Sequence, residues 1–184
     1  MLTSLPASAA VGTLGITGGL LTLTSPVTLT WVATLNGTDQ SIVDVTPVDQ
    51  QLTVSDATGS GAGWHVTTSA TTFTNGTHTL PDGGALVVTG SVTSISATTA
   101  PTLTCVATCT LPTNSITYPT AITTAATTPT AVTIYNAAAA TGVGVVVIGG
   151  STSANPLGWW VKVPSNAFTG AYVSTITQAV VSAP

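Results

Sequence analysis

Apolar and polar residues alternate along most of this chain with a period of two. Leu21-Thr22-Leu23-Thr24 and Val27-Thr28-Leu29-Thr30-Trp31 are the first such runs, and each turns its apolar side chains to one side of an extended backbone. The pattern returns at Trp64-His65-Val66-Thr67-Thr68, and residues 85–89, residues 91–95 and Val132-Thr133-Ile134-Tyr135 are also expected as strands. Turn signals separate the runs. Asn36-Gly37 favours a two-residue hairpin, and Pro81-Asp82-Gly83-Gly84 a tight reversal. Residues 142–150, apolar between glycines, predict a strand covered on both faces, by this chain or by a neighbouring subunit. Residues 119–129, rich in Thr, Ala and Pro, predict an irregular surface connection. No run carries a sustained helical period. Strands broken by turns roughly every 8–12 residues predict an all-β fold, an antiparallel β-sandwich of immunoglobulin-like or jelly-roll-like type with an N-terminal strand extension. The expected division is an extension over residues 1–24 and one sandwich domain over residues 25–184.

The densest signal lies at residues 55–73. A turn rich in Asp, Ser and Gly runs into the strand that opens with Trp64. Trp64, Val66 and Thr68 share one face of that strand, and His65 and Thr67 share the other. Gly59, Gly61 and Gly63 allow the turn to be tight and to bring Trp64 against a core.

This region resembles a known family. Leu52-Thr53-Val54-Ser55-Asp56, Gly59 and Gly61-Ala62-Gly63-Trp64-His65-Val66 resemble the first Trp-x-Leu motif of the WxL cell-surface domain. The closing segment, Trp160-Val161-Lys162-Val163-Pro164-Ser165-Asn166-Ala167, then Thr169-Gly170-Ala171-Tyr172, Thr175-Ile176-Thr177 and Ala183-Pro184, is similar to the family's ending. Two positions depart from the pattern. Val66 stands where the family has Leu, and Gln178-Ala179-Val180 stands where the second Trp-x-Leu belongs. The resemblance implies a β-rich domain at the surface of a Gram-positive cell, with attachment to peptidoglycan or another surface glycan through the motifs. Trp64, Val66 and Trp160 are then either wall-binding or core residues.

Charge narrows the partners. Of 184 residues only 3% are charged: five Asp and one cation, Lys162, give a net charge of -4. One lysine cannot build a basic patch, which excludes nucleic acid and anionic membranes as partners. Hydroxyl side chains take the place of charge on the surface, a composition suited to a secreted, extracellular protein. The uncharged run over residues 11–35 is long enough to suggest a membrane span, but its alternation, its glycines and Pro26 make it strand, so no membrane insertion is expected. Residues 1–10 end in Pro-Ala-Ser-Ala-Ala, the small-residue tail of a signal peptide without a basic start, and read as a truncated leader or a mature terminus.

Candidate chemistry is sparse. Cys105 and Cys109, the only cysteines, close a short loop if they form a disulfide; as metal ligands they would need two further partners, and His65 and His78 lie far away in sequence. The disulfide is the expected state in an oxidising compartment. Asp39, Asp44 and Asp49 cluster as a hard-cation site would, but without EF-hand spacing or any Glu; they read as solvated acids of loops and strand edges. Gly59-x-Gly61-x-Gly63 precedes a strand, so no helix N-terminus is there for a phosphate. Asn36-Gly37-Thr38 and Asn75-Gly76-Thr77 match the N-glycosylation acceptor pattern and also read as plain turns. Of Trp159 and Trp160, one indole is expected in the core and the other is either a second buried contact or an exposed platform. No nucleophile–base pair or paired carboxylates stand in a recognisable motif, and neither catalysis nor a cofactor is expected.

Strand edges in such a chain lack the charge that normally blunts them. The uncharged segment over residues 9–24, with Leu14, Ile16, Leu21 and Leu23 as its apolar positions, predicts an assembly strand that completes a sheet in a neighbouring copy. Repeated head to tail, this yields an extracellular, pilus-like homopolymer. The alternatives are pairing within the chain's own sandwich and a WxL-type wall-binding or adhesin module.

Overall fold

The computed structural model describes residues 13–183, and its regular elements are almost entirely strands. They are β1 (Leu21–Thr24), β2 (Gln40–Val43), β3 (Gln51–Asp56), β4 (Trp64–Ala70), β5 (Leu86–Thr89), β6 (Leu103–Cys105), β7 (Thr120–Ile122), β8 (Val132–Ala137), β9 (Gly144–Gly149), β10 (Gly158–Val163) and β11 (Ile176–Ser182). One 3-10 turn, Pro47–Asp49, is the only helical element among the described residues. Three antiparallel sheets have the orders β1-β3-β9-β6, β2-β10-β5-β7 and β11-β4-β8. The fold is all-β and sandwich-like, as the alternation predicts.

Period-two patterning sets which side chains enter the core. In β4, Trp64, Val66, Thr68 and Ala70 are buried while His65, Thr67 and Ser69 are only partly so. In β3, Leu52, Val54 and Asp56 point inward. These faces meet Leu86, Val88, Ile122, Ile134, Tyr135, Ile148, Leu157 and Trp159 in one cluster. Each fully buried side chain of this size adds about 1.5–3 kcal/mol of transfer free energy, which lets a chain with so few charges hold together.

Several expectations need correction. Val27–Trp31 forms no strand, because the segment over residues 25–39 crosses the body without joining a ladder. Asn36-Gly37 does turn, with Gly37 at φ +81°, but no hairpin forms around it since β2 pairs only with β10. Residues 91–95 are bends and turns rather than strand: Ser91 Oγ accepts from the backbone N–H groups of Thr93 and Ser94, both at 3.1 Å, and curls the chain. Within the Thr/Ala/Pro-rich run, β7 pairs with β5 and buries Ile122. Within residues 142–150, Gly144–Gly149 form β9, which alternates, with Val146 and Ile148 fully buried and Val145 and Val147 only partly so. Asp44 and Asp49 are buried, not solvated. Leu21–Thr24 is the edge strand of its own chain's sheet rather than a free extension, with Leu23 opposite Val54. The Met1–Ala10 leader reading and the start of the assembly segment, residues 9–12, lie outside the described residues.

Candidate functional site

The Trp64 region is built as a lock. Gly63 has φ +81°, and a Cβ there would strike the backbone of Ala137, the last residue of β8, and of Ala138 just after it. Only glycine permits both the angle and the approach. The turn delivers Trp64, which is 0% exposed; its indole N–H donates to Gly142 O at 3.0 Å and its ring stacks on Tyr135 with centroids 6.2 Å apart. Trp64 and Val66 are therefore core residues and offer no face to a glycan.

Trp159 and Trp160 are both buried. The Trp159 indole donates to Asp49 O at 3.0 Å, and the Trp160 indole to Ser91 O at 2.9 Å. Together with Trp31, whose indole donates to Trp159 O at 2.9 Å, each of the four tryptophans fastens its N–H to a distant backbone carbonyl. The structure joins Cys105 to Cys109 as a disulfide with Cα atoms 5.6 Å apart, at the end of β6. No group of three or more His, Cys, Asp or Glu among the described residues is placed to hold a metal ion.

The aspartates serve as hydrogen-bond acceptors within the fold. Asp44 accepts from Thr30 N–H at 2.6 Å and Thr46 N–H at 2.7 Å, Asp39 from Ser165 N–H at 2.7 Å, and Asp56 from Thr58 Oγ1 at 2.7 Å. Asp82 receives the hydroxyls of Thr72 and Thr124, each at 2.6 Å. Asp49 differs: burial, and next the charge of Asp44, push its carboxyl above the usual carboxylate range, with the Thr46 hydroxyl pulling the other way. Burial also raises the Tyr118 and Tyr135 phenols above the usual range. Asn36 and Asn75 cap their own turns, accepting from Thr38 N–H and Thr77 N–H at 3.0 Å; Asn36 is exposed and Asn75 partly so. His65 is partly exposed on the outer face of β4, and His78 stacks on Phe168 at 3.9 Å.

The assembly positions divide into two groups. Leu21 and Leu23 pack against the core, while Leu14 and Ile16 stand in solvent outside any strand. The ladder of β1 continues backward, with Gly19 N–H donating to Ala57 O at 2.7 Å. Gly18 runs so close to Thr58 that a Cβ would meet its carbonyl, which explains that glycine. Beyond β1, the segment over residues 25–39 passes between the free edges of β2 and β11. Among the described residues it makes no backbone–backbone hydrogen bond. It is anchored by Leu29 and Trp31; the Trp31 ring meets Phe73 edge-on at 5.8 Å and 82°. An open groove of about 630 Å³ adjoins it, walled by Ile42, Phe73, Leu80, Val161, Val163 and Tyr172. A second, of about 360 Å³, lies on its other flank beside Ile176 and Gln178. The sequence marks Trp31 only as the end of an alternating run; the groove walls come from five separate stretches of chain, which no local pattern connects. No helix among the described residues is long and apolar enough to cross a membrane.

Comparison with known proteins returns no matching family model, no matching curated sequence and no matching solved structure. The resemblance to the WxL domain therefore rests on the two motif regions alone.

Proposed function

We propose that this chain is a non-enzymatic structural protein of the cell surface that polymerises into an extracellular filament by adding its N-terminal strand to a neighbouring copy. One observation carries the reading: the N-terminal segment is uncharged, holds among its described residues only a four-residue edge strand, and leaves Leu14 84% and Ile16 88% exposed. Apolar side chains exposed in series beside an edge strand mark a surface that gains by being covered. The pairing of β1 with β3 supplies the contact to be repeated, since the same register formed between copies buries the same atoms. Exchange in one direction around no closed ring gives a fibre. The two tryptophans that a glycan-binding reading would use, Trp64 and Trp160, are both buried, which favours the assembly reading over it.

The test mixes copies carrying Thr22→Cys with copies carrying Ser55→Cys, positions that face each other across the β1–β3 ladder. The Cys105–Cys109 disulfide is left intact. A covalent dimer of one copy of each kind, together with filaments of the unmodified protein in negative-stain electron micrographs, is expected. Sedimentation of a monomer at high concentration, with no mixed disulfide, overturns the reading; a monomer that pellets with purified peptidoglycan puts the wall-binding module in its place.

A further inference from the structure

The unit that moves between copies decides where one subunit grips the next. Two boundaries compete: β1 alone, hinged near Pro26, or a longer arm hinged near Asn36-Gly37. Three features separate them. The first is the absence of any backbone ladder between residues 25–39 and the body among the described residues; the segment's backbone meets the body only through side chains, Asp44 accepting from Thr30 N–H at 2.6 Å and Gln40 Nε2 donating to Thr34 O at 2.8 Å. The second is Trp31. It is the one large anchor of the segment, its indole fixed to Trp159 O and its ring set against Phe73, while its neighbours Val27 and Val32 stand in solvent. The third is the filling of the groove. Open volumes of about 630 Å³ and 360 Å³ flank the segment, and Gln178 in the wall of the smaller one keeps its side-chain oxygen buried with no partner among the described residues.

A segment packed in this way detaches at a local cost well below that of unfolding the core. It carries no charge; the first ionisable residue after Leu14 is Asp39. Its transfer to another copy therefore meets no charge repulsion, and it repeats the contacts it leaves. The hinge must sit where the chain changes direction without burying anything. Residues 36–38 fit: Asn36 and Gly37 are exposed, Gly37 has φ +81°, and the turn is closed by exposed side-chain bonds alone, Asn36 Oδ1 accepting from the N–H and hydroxyl of Thr38 and Gln40 Nε2 donating to Thr34 O at 2.8 Å. Pro26 fits less well, because Leu29 and Trp31 follow it directly and would remain behind as an anchor.

We infer that the exchanged unit is the whole arm up to residue 35, with Trp31 as its anchor in the groove between the free edges of β2 and β11 of a second copy. The inference rests on the strand-exchange reading above and adds to it the groove and its occupant. One arm then makes two kinds of contact with its acceptor. β1 extends the sheet at β3, and Leu29 with Trp31 closes the gap between the other two sheets.

A photo-crosslinking residue tests this in the full-length protein. Trp31→p-benzoylphenylalanine is prepared in 14N- and 15N-labelled forms, which are mixed during assembly and irradiated. Crosslinked peptides joining position 31 to the groove residues Phe73, Leu80 or Tyr172 are then weighed. Peptides in which one partner is light and the other heavy, near the half expected for random mixing, support the inference. Should the Trp31 variant lose its fold, Ala33→p-benzoylphenylalanine, exposed beside the same groove, carries the probe. Crosslinks confined to one label, together with a mixed Thr22→Cys and Ser55→Cys disulfide, leave strand exchange standing and overturn the longer arm. Mixed-label crosslinks in a protein that stops at closed dimers support the arm and overturn the filament.

Discussion

Replacing Gly142 with alanine and Trp64 with phenylalanine, singly and together, measures the contact on which the Trp64 lock depends. Gly142 has φ +74°, and a Cβ built there lies 2.6 Å from Trp64 Nε1 and 2.6 Å from Ala137 Cβ. Gly142→Ala therefore costs about 1–2 kcal/mol for the left-handed backbone and about 1–3 kcal/mol for overpacking, roughly 2–5 kcal/mol together. Trp64→Phe removes the indole N–H from buried Gly142 O and leaves that carbonyl unpaired, at roughly 1–3 kcal/mol before any loss of packing. In the double variant the clash with Nε1 is gone, so the overpacking share falls while the backbone strain stays. The contact with Ala137 Cβ remains, so the two changes together should cost less than their sum by only part of the overpacking share, roughly 1–1.5 kcal/mol. Urea unfolding followed by far-UV circular dichroism measures this, because fluorescence changes with the tryptophan itself; equal m-values across the set license the comparison. Additivity within roughly 0.5 kcal/mol would refute the claim that Trp64 and residue 142 compete for the same space.

Further outcomes follow from Asp49 and from the disulfide. The Asp49 carboxyl is raised above its ordinary 3.8 in the folded state, so the protonated form is the one the fold favours. Its contribution is greatest below about pH 3.8 and is lost as pH rises through the raised value; Asp49→Asn should flatten that limb of the stability–pH curve, and an unchanged curve counts against the burial argument. The Cys105–Cys109 loop is short, so by loop entropy its reduction should cost only about 2 kcal/mol. Thiol labelling of denatured, unreduced protein should find no free cysteine, and labelling of both refutes the pairing.

Where the fold is legible in the sequence, local geometry decides it. The period of two in residues 64–70 fixes which side chains enter the core, and the glycine before Trp64 is required by a left-handed angle and a close approach. Where it is not, the deciding partner is remote. The alternation over residues 27–31 is as regular as that of β1, yet no strand forms, because a strand needs an open edge within reach and alternation does not report one. Asp44 is spared solvent by Thr30 N–H, 14 residues earlier, and β7 exists because β5 lies beside it. Ser91 curls a run that reads as strand, since its hydroxyl serves the backbone N–H groups just ahead of it. The candidate site suffers most from this limit. Its anchor, Trp31, is one residue in a threonine-rich run, and its walls are assembled only by the tertiary fold.

The lack of charge links the stability of this protein to its proposed assembly. Four of the five aspartate side chains accept hydrogen bonds from backbone N–H groups or threonine hydroxyls, and the tryptophan N–H groups reach carbonyls far along the chain. These contacts fix the interior without ion pairs, so salt should weaken them little. The same economy leaves the surface with Lys162 as its single cation, on β10 inside a sheet, and none on the free edges of β1, β2 or β11. Natural sheets keep charged side chains at such edges to prevent pairing between molecules. A monomeric protein under that constraint gains by adding a lysine at an edge; a filament subunit is harmed by it. Edge charge and assembly are thus opposed requirements, and in this sequence the edges are left uncharged.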